Sequence, residues 1–198
     1  MLINLWRVIN SKSLEYDNFF YDLFYNSKIK DLAANALGED VHPRAMEYFN
    51  KPPGKSKPTP PHQDGFYFNL DNDKAVTGWL ALEDVDDENG CIHYVKGSHS
   101  KEEYRPHGKS EILGFSQGVT DFGTEEDKIN TVKFEGKAGM FLMHHSKTIH
   151  FASPNKSSVR SRRAFGFVYH GVSAKHNTEK EKVDQKKLHD ELKEKKII

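Results

Sequence analysis

The sequence predicts a mainly β fold, either a barrel or a double-sheet jelly roll, with helices on both flanks. Short segments rich in β-branched and aromatic residues recur through the middle of the chain, and residues that favour turns separate them. Many short strands divided by turns are typical of barrels and jelly rolls. The predicted strands cover residues 44–50, 75–82, 91–95, 131–134, 139–143, 148–152 and 162–170.

Two turn signals predict how these strands connect. Asn89-Gly90 is a strong hairpin signal, because both residues tolerate the positive φ angles of a tight turn. It predicts a hairpin between strands 75–82 and 91–95. A second turn signal, Ser-Pro-Asn, follows strand 148–152 and predicts a hairpin with strand 162–170.

The flanking segments show helical patterns. Between residues 13 and 37, apolar side chains recur at spacings of three and four, which indicates helices with one buried face. Ser27 suits the N-cap of a second helix in this region, and Gly38 suits its C-terminal end. Residues 178–196 are dense in Glu and Lys at spacings of three and four, which predicts a solvated charged helix.

Two polar stretches lack such periodicity. Residues 51–61 contain five prolines and one glycine, a composition that excludes regular structure. Residues 96–130 are expected to fold over the mouth of the barrel. With a β core at about 44–174 between the helices, we expect a single domain over residues 1–198.

Composition narrows the functional classes. The chain has 198 residues, and its 29 Lys and Arg balance 29 Asp and Glu, which argues against a dedicated nucleic-acid surface. Cys91 is the only cysteine, so no intrachain disulfide can form. No apolar run reaches the roughly 20 residues that a transmembrane helix needs. We expect a cytoplasmic protein without a membrane partner, and the sequence leaves its oligomeric state open.

A His-x-Asp motif at His62 and Asp64 lies in a segment that predicts a β-strand. Residues two apart on a strand share a face, so the imidazole and the carboxylate would lie side by side. One further imidazole would complete the two-histidine, one-carboxylate set that suits non-haem Fe(II). Of the eleven histidines, His150 is the best candidate, because the predicted hairpin places it beside a strand that begins with arginine. His144 and His145 are expected to lie near the metal without binding it.

The arginines after His150 suggest a partner for an acidic co-substrate. A guanidinium binds a carboxylate through two parallel hydrogen bonds, with an orientation that Lys cannot match. A co-substrate that chelates iron at one end could be held by arginine at the other. Arg160, Arg162 and Arg163 are the candidates.

Three separated motifs occur in order between about residues 45 and 174: PPHQDGFYF, then GWLALEDVDDENGCIHYVKGSHS, then TIHFASPNKS leading to RRAFGFVY. Together they resemble the phytanoyl-CoA dioxygenase family. That family consists of Fe(II)- and 2-oxoglutarate-dependent oxygenases on a double-stranded β-helix, a jelly-roll or cupin-like barrel. The resemblance therefore implies this fold for the chain.

The resemblance also implies an activity and a set of site residues. The expected enzyme is a dioxygenase that uses Fe(II), 2-oxoglutarate and O₂, hydroxylates an unidentified small molecule, and releases succinate and CO₂. His62, Asp64 and His150 match the family's catalytic iron ligands. Arg162 matches the arginine that binds the distal carboxylate of 2-oxoglutarate, and Trp79 matches a tryptophan that lines the co-substrate pocket.

Some alternatives remain open from the sequence. The segment between His150 and the arginines is about one residue longer than is usual in the family, so Arg160 and Arg163 remain rivals of Arg162. Trp79 serves equally well as a core residue. The alternative function is a non-catalytic or cupin-like metal-binding jelly roll that does not use 2-oxoglutarate, and such a protein would not need a buried arginine facing the metal.

Overall fold

Two antiparallel β-sheets form the frame of the computed structural model, which describes residues 7–10, 16–54, 56–109, 117–179, 181–183, 186 and 190. The five-stranded sheet has the order β1 (Arg7–Asn10), β2 (Val41–Lys51), β11 (Arg162–Gly171), β4 (Ala75–Ala81), β9 (Phe141–His145). The four-stranded sheet has the order β3 (Thr59–His62), β10 (His150–Ala152), β5 (Ile92–Val95), β8 (Thr131–Phe134).

From β2 onward, the chain passes repeatedly between the two sheets. Strands β2, β4, β9 and β11 belong to one sheet, and β3, β5, β8 and β10 belong to the other. This alternation produces a double-stranded β-helix, as the sequence predicted. The sheets pack together through a buried cluster that joins Trp79, Ala81 and Ala164 of one sheet to Ile92 of the other. Burying apolar side chains of two inner faces is what stabilises such a sandwich.

The alternation overturns the predicted hairpin at Asn89-Gly90. The flanking strands β4 and β5 lie in different sheets, so the turn carries the chain from one sheet to the other. Gly90 has a φ of 95°, which explains the glycine. The buried side chain of Asn89 donates to the carbonyls of Asp84 and Ser161, and this fixes the crossing. The turn signal was correct, whereas the inferred pairing of the strands was wrong.

Two helices cover the outer face of the five-stranded sheet, α1 (Asn18–Tyr25) and α2 (Lys28–Leu37). The side chain of Ser27 accepts a hydrogen bond from the Ile29 N–H, and Gly38 adopts a φ of 72° at the C-terminal end. Both predicted caps are therefore confirmed. The apolar faces of α1 and α2 pack against Met46, Val76 and Phe167 of the sheet. Residues 13–15 of the predicted helical region lie outside the described residues.

Short elements occupy the stretch predicted to cover the barrel mouth. They are a helical turn at Ser98–Ser100, the hairpin of β6 (His107–Lys109) with β7 (Gln117–Val119), and α4 (Glu125–Asn130). One further short helix, α3 (Gly65–Phe68), follows β3.

The predicted C-terminal helix is described only in part. Residues 178–179, 181–183, 186 and 190 are helical, and the rest of 178–196 lies outside the described residues. The single-domain organisation over 1–198 stays a prediction. Within the described part of the chain, no helix has the length and apolar character needed to cross a bilayer.

Candidate metal centre and adjoining cavity

His62, Asp64 and His150 converge on one point inside the barrel. Strands β3 and β10 pair in the register that places His62 directly opposite His150, and the two ring centroids are 4.1 Å apart. The Nε2 atoms of His62 and His150 lie 3.4 and 3.5 Å from Asp64 Oδ1. One ligand atom from each residue lies within 4.8 Å of the others, so together they could hold a metal ion. The structure therefore brings together the three residues that the sequence analysis named.

Asp64 reaches this point by a route that differs from the prediction. β3 ends at His62, and Asp64 has helical dihedral angles, φ −57° and ψ −39°, immediately before α3. The expectation of a strand through the whole His-x-Asp motif was therefore wrong. Gln63 fixes the turn, because its buried amide donates to the Lys147 carbonyl and accepts from the Arg105 N–H. The carboxylate thus points back toward the imidazoles.

The two histidines present their Nε2 atoms in the form that a metal requires. His62 Nδ1 lies 2.8 Å from the Pro60 carbonyl, and His150 Nδ1 lies 3.0 Å from the Thr148 carbonyl. A carbonyl only accepts hydrogen bonds, so each Nδ1 carries the proton and each Nε2 keeps its lone pair. Burial, together with the neighbouring His62 and His144, holds the pKa of His150 well below its usual range. The ring is therefore neutral and ready to ligate.

Asp64 is held as a carboxylate by its hydrogen-bond partners. Burial by itself would raise the pKa of Asp64, but the neighbouring His150, His144 and His62 bring it well below its usual range. The second oxygen, Oδ2, accepts from Thr77 Oγ1 at 2.6 Å and from His144 Nε2 at 3.1 Å. Oδ1 is left facing the two imidazoles.

His144 extends this network one residue further. Its Nδ1 lies 2.8 Å from Tyr94 Oη, so in the neutral ring the tyrosine donates to Nδ1 while Nε2 donates to Asp64. His144 is thus a neighbour of the candidate ligands, as expected. His145 instead accepts from the Lys147 N–H. The sequence analysis missed Tyr94 and Thr77, although strand alternation places Thr77 on the same face as Trp79.

Arg162 lies elsewhere in the same cavity, on the opposite sheet from His150. β10 and β11 belong to different sheets, so the predicted hairpin between them was wrong, and residues 153–161 instead cross between the sheets. Arg162 is nevertheless buried, with 3% of its surface exposed, and its guanidinium carbon lies 5.4 Å from the centre of the Trp79 ring. Arg162 Nε is buried and has no hydrogen-bond partner among the described residues. An unpartnered buried donor of this kind is costly unless a ligand satisfies it.

A second basic side chain lies beside Arg162. Lys51 is directly opposite Arg162 in the pairing of β2 with β11, and it is fully buried. Its Nζ donates to the Lys57 carbonyl at 2.7 Å. Burial, followed by the positive charge of Arg162, lowers the pKa of Lys51 to about 6, and burial lowers the pKa of Arg162 to about 10. This end of the cavity therefore favours an anion.

The rival arginines have other partners. Arg163 points to the exposed face of β11 and pairs with Glu83 at 2.6 Å. Arg160 pairs with Asp86 at 2.8 Å and also with Glu88. Of the three, only Arg162 lines the cavity.

The cavity itself has a volume of about 340 Å³, within the range of small-molecule sites. Both sheets contribute to its walls, which are Glu47, Phe49, Thr59, His62, Asp64, Tyr67, Phe68, Thr77, Trp79, Ile92, His144, His150, Phe151, Ala152, Arg162 and Val168. Trp79 lines the cavity and is also a member of the core cluster, so both interpretations of it hold.

The amino-acid sequence is similar to those of several curated proteins. Phytanoyl-CoA dioxygenase of Arabidopsis thaliana is 32% identical over 155 residues, which are 76% of this chain and 52% of that protein. A probable alpha-ketoglutarate-dependent hypophosphite dioxygenase of Stutzerimonas stutzeri is 27% identical over 157 residues, 76% of this chain and 54% of the relative. The chain thus spans about half the length of these curated relatives.

Solved structures show the same fold. The epimerase SnoN, in complex with Fe³⁺, alpha ketoglutarate and nogalamycin RO, superposes with a TM-score of 0.70 at 25% identity, over 85% of this chain and 64% of SnoN. EvdO2 from Micromonospora carbonacea var. aurantiaca, in complex with 2-oxoglutarate, gives a TM-score of 0.71 at 24% identity, over 87% of this chain and 69% of EvdO2. The model of the family described as Phytanoyl-CoA dioxygenase (PhyH) matches residues 7–164, a span that contains both the candidate ligands and Arg162. The chain therefore belongs to the phytanoyl-CoA dioxygenase family.

Proposed function

We propose that this chain is an Fe(II)- and 2-oxoglutarate-dependent dioxygenase that hydroxylates a small molecule and releases succinate and CO₂. The observation that carries the proposal is the pairing, in one cavity, of an imidazole–carboxylate–imidazole set with a buried guanidinium whose Nε has no hydrogen-bond partner among the described residues. 2-Oxoglutarate matches both features, because it has a keto acid that can chelate a metal and a second carboxylate that can bind arginine.

The donor set fits iron. Two neutral imidazoles and one carboxylate are the ligands that suit non-haem Fe(II), and they leave open positions for a co-substrate and O₂. His62, Asp64 and His150 would hold the metal, which when bound supplies the oxidising chemistry of the reaction. Thr77 and His144 would keep the carboxylate oriented through their hydrogen bonds to Oδ2.

Arg162 would fix the orientation of the co-substrate. Its guanidinium offers parallel N–H groups to the distal carboxylate, and Trp79 supports it from one side. The apolar side chains of Ile92, Ala152 and Phe151 in the cavity wall would exclude water from the reacting groups.

The alternative is a cupin-like or non-catalytic metal-binding jelly roll. Such a protein has no use for a buried cation that faces the metal-binding cavity, and burying one is costly. The orphaned Nε of Arg162 therefore favours use of 2-oxoglutarate.

Succinate release from 2-oxoglutarate in the presence of Fe(II) and O₂ tests the proposed function. We expect succinate to form, to stop when a chelator is added, and to increase with the correct substrate. Metal binding without any succinate, across a broad metabolite pool, would favour the alternative. Because a solved relative is an epimerase, hydroxylation itself requires a product whose mass has increased by one oxygen atom.

We also propose a small-molecule substrate without a nucleic-acid or membrane partner, and a cytoplasmic location. The balance of 29 basic and 29 acidic residues supports the first point. Cys91 is buried and is the only cysteine of the chain, which is consistent with a reducing compartment.

A further inference from the structure

Glu47 is a carboxylate on the cavity wall that the proposed chemistry does not use. It lies on β2, is partly buried, and lines the same cavity as the candidate metal ligands. No salt bridge or hydrogen bond joins its carboxylate to another residue in the described part of the chain. Burial, and then the negative charge of Asp64, raise the pKa of Glu47. A carboxylate in such surroundings needs a partner to be stable in its charged form.

Glu47 and Lys51 lie on the same face of β2, at opposite ends of a short row of side chains. Residues two apart on a strand share a face, so Lys51, Phe49 and Glu47 form one row along the strand. The row runs from the Lys51 amine through the Phe49 ring to the Glu47 carboxyl group, over about 13 Å at roughly 3.3 Å per residue. The basic end is the one that Lys51 shares with Arg162. Glu47 stands at the other end of the row, where the charge of Asp64 acts on it.

The pairing of the strands places Glu47 in line with Trp79, which also lines the cavity. Glu47 pairs with Gly166 on β11, and Gly166 pairs with Trp79 on β4, so these residues form one row across the sheet. A side chain at 166 would collide with the ring of Phe49, because an added Cβ would lie 2.5 Å from Cε2. The glycine thus leaves room for the Phe49 ring beside Glu47.

The cavity also has aromatic walls that suit an organic cation. The aromatic residues Phe49, Tyr67 and Phe68 line the cavity together with Glu47. A carboxylate combined with aromatic rings is the environment that binds ammonium groups through charge and cation–π attraction. A carboxylate or phosphate on the substrate would instead be repelled.

We propose that Glu47 selects a substrate that carries a cationic nitrogen, an ammonium or a guanidinium, and holds that group at the acidic end of the cavity. This inference rests on the proposed function, because the bound cation is a substrate only if the chain is the proposed dioxygenase. It names a substrate class, and it makes Glu47 a specificity-determining residue.

Equilibrium binding of three probes of matched size tests the inference: benzylammonium, benzyl alcohol and benzoate. Isothermal titration calorimetry would be run on the protein alone and on the protein loaded with Mn(II) and 2-oxoglutarate, which occupies the basic end. We expect benzylammonium to bind at least about tenfold more tightly than benzyl alcohol, as about 1.4 kcal/mol from a partly buried ion pair would give, and benzoate to bind most weakly to the loaded protein.

Glu47→Gln should reduce this preference to less than about twofold while leaving 2-oxoglutarate binding unchanged. Glu102→Gln is the matched control, because Glu102 is exposed and lies outside the cavity wall. The inference is overturned if wild type binds benzylammonium no better than benzyl alcohol, binds no probe, or keeps its preference in Glu47→Gln. A preference for the cation without any 2-oxoglutarate binding would instead refute the proposed function and leave the role of Glu47 intact.

Discussion

Removing the guanidinium of Arg162 should abolish tight binding of 2-oxoglutarate. The expected partner of Arg162 is the distal carboxylate, and the pair would be desolvated because Arg162 is almost fully buried. Breaking a buried, charge-assisted pair by removing one partner typically costs about 3–5 kcal/mol. At roughly 1.4 kcal/mol per tenfold, Arg162→Ala should weaken 2-oxoglutarate binding by about two to three and a half decades.

The surroundings of Arg162 refine this expectation. Arg162→Lys should recover only part of the loss, because an ammonium keeps the charge but lacks the forked donors. Lys51 remains beside the site in both variants, but its amine supplies no forked donors to replace those of Arg162. Fe(II) affinity should change little, since neither residue belongs to the candidate ligand set.

The assay is the dependence of succinate formation on 2-oxoglutarate concentration, together with calorimetric titration of 2-oxoglutarate into the Mn(II)-loaded protein. Arg163→Ala and Arg160→Ala are the controls, because Arg163 pairs with Glu83 and Arg160 with Asp86, outside the cavity. The reasoning is refuted if Arg162→Ala stays within a few-fold of wild type while either control weakens 2-oxoglutarate binding a hundredfold.

Three further predictions concern the metal and the buried lysine. We expect Fe(II) binding to weaken strongly in His62→Ala, Asp64→Ala and His150→Ala, and only mildly in His145→Ala. Titration with the metal measures these affinities. A strong loss in His145→Ala with little loss in His150→Ala would contradict the prediction. Because the pKa of His150 lies below its usual range, this ligand should stay neutral around neutral pH, and Fe(II) affinity should fall in acid as His150 binds a proton. A steep loss of affinity near neutrality would count against a neutral His150. The pKa of Lys51 falls from 10.5 to about 6 on folding, so between these values the unfolded chain holds a proton that the folded chain lacks, and stability should rise with pH across this window. Lys51→Met should raise the free energy of unfolding at neutral pH by about 2–4 kcal/mol and make stability less dependent on pH. Denaturant melts at neutral and alkaline pH measure both effects. A destabilised variant would contradict a neutral Lys51 in the folded protein.

Local signals in the sequence were read correctly, and strand partners were not. Strand β8 has the predicted bounds, residues 131–134, and the caps at Ser27 and Gly38 are those expected. These features depend on a few consecutive residues. Whether β4 pairs with β5, or β10 with β11, depends on which sheet each strand joins, and in both cases the two strands join different sheets. The residues of a turn are the same whether or not the strands on either side of it pair.

The structure brings together the residues that the sequence analysis named, but in a geometry that the sequence did not predict. His62, Asp64, His150 and Arg162 were named because their motifs resemble a family, while the helical turn at Asp64 was missed because the apolar run after it also suits a strand. Glu47 was missed for a different reason. A glutamate on an alternating strand ordinarily faces solvent, and only the facing sheet shows that this one faces a cavity.

The division of the site between two sheets has a mechanical consequence. The imidazoles of His62 and His150 belong to one sheet, and Arg162 and Thr77 belong to the other. On the proposed function, a bound metal with its co-substrate would act as a removable cross-link between the layers of the sandwich. At a ligand concentration about a hundredfold above the dissociation constant, such a link adds about 2.7 kcal/mol to the stability of the folded state. Amide hydrogen exchange should then slow in β10 and β11 together, although these two strands share no hydrogen bond. The exchange rate of the two strands would therefore measure the fraction of the protein that has metal and co-substrate bound.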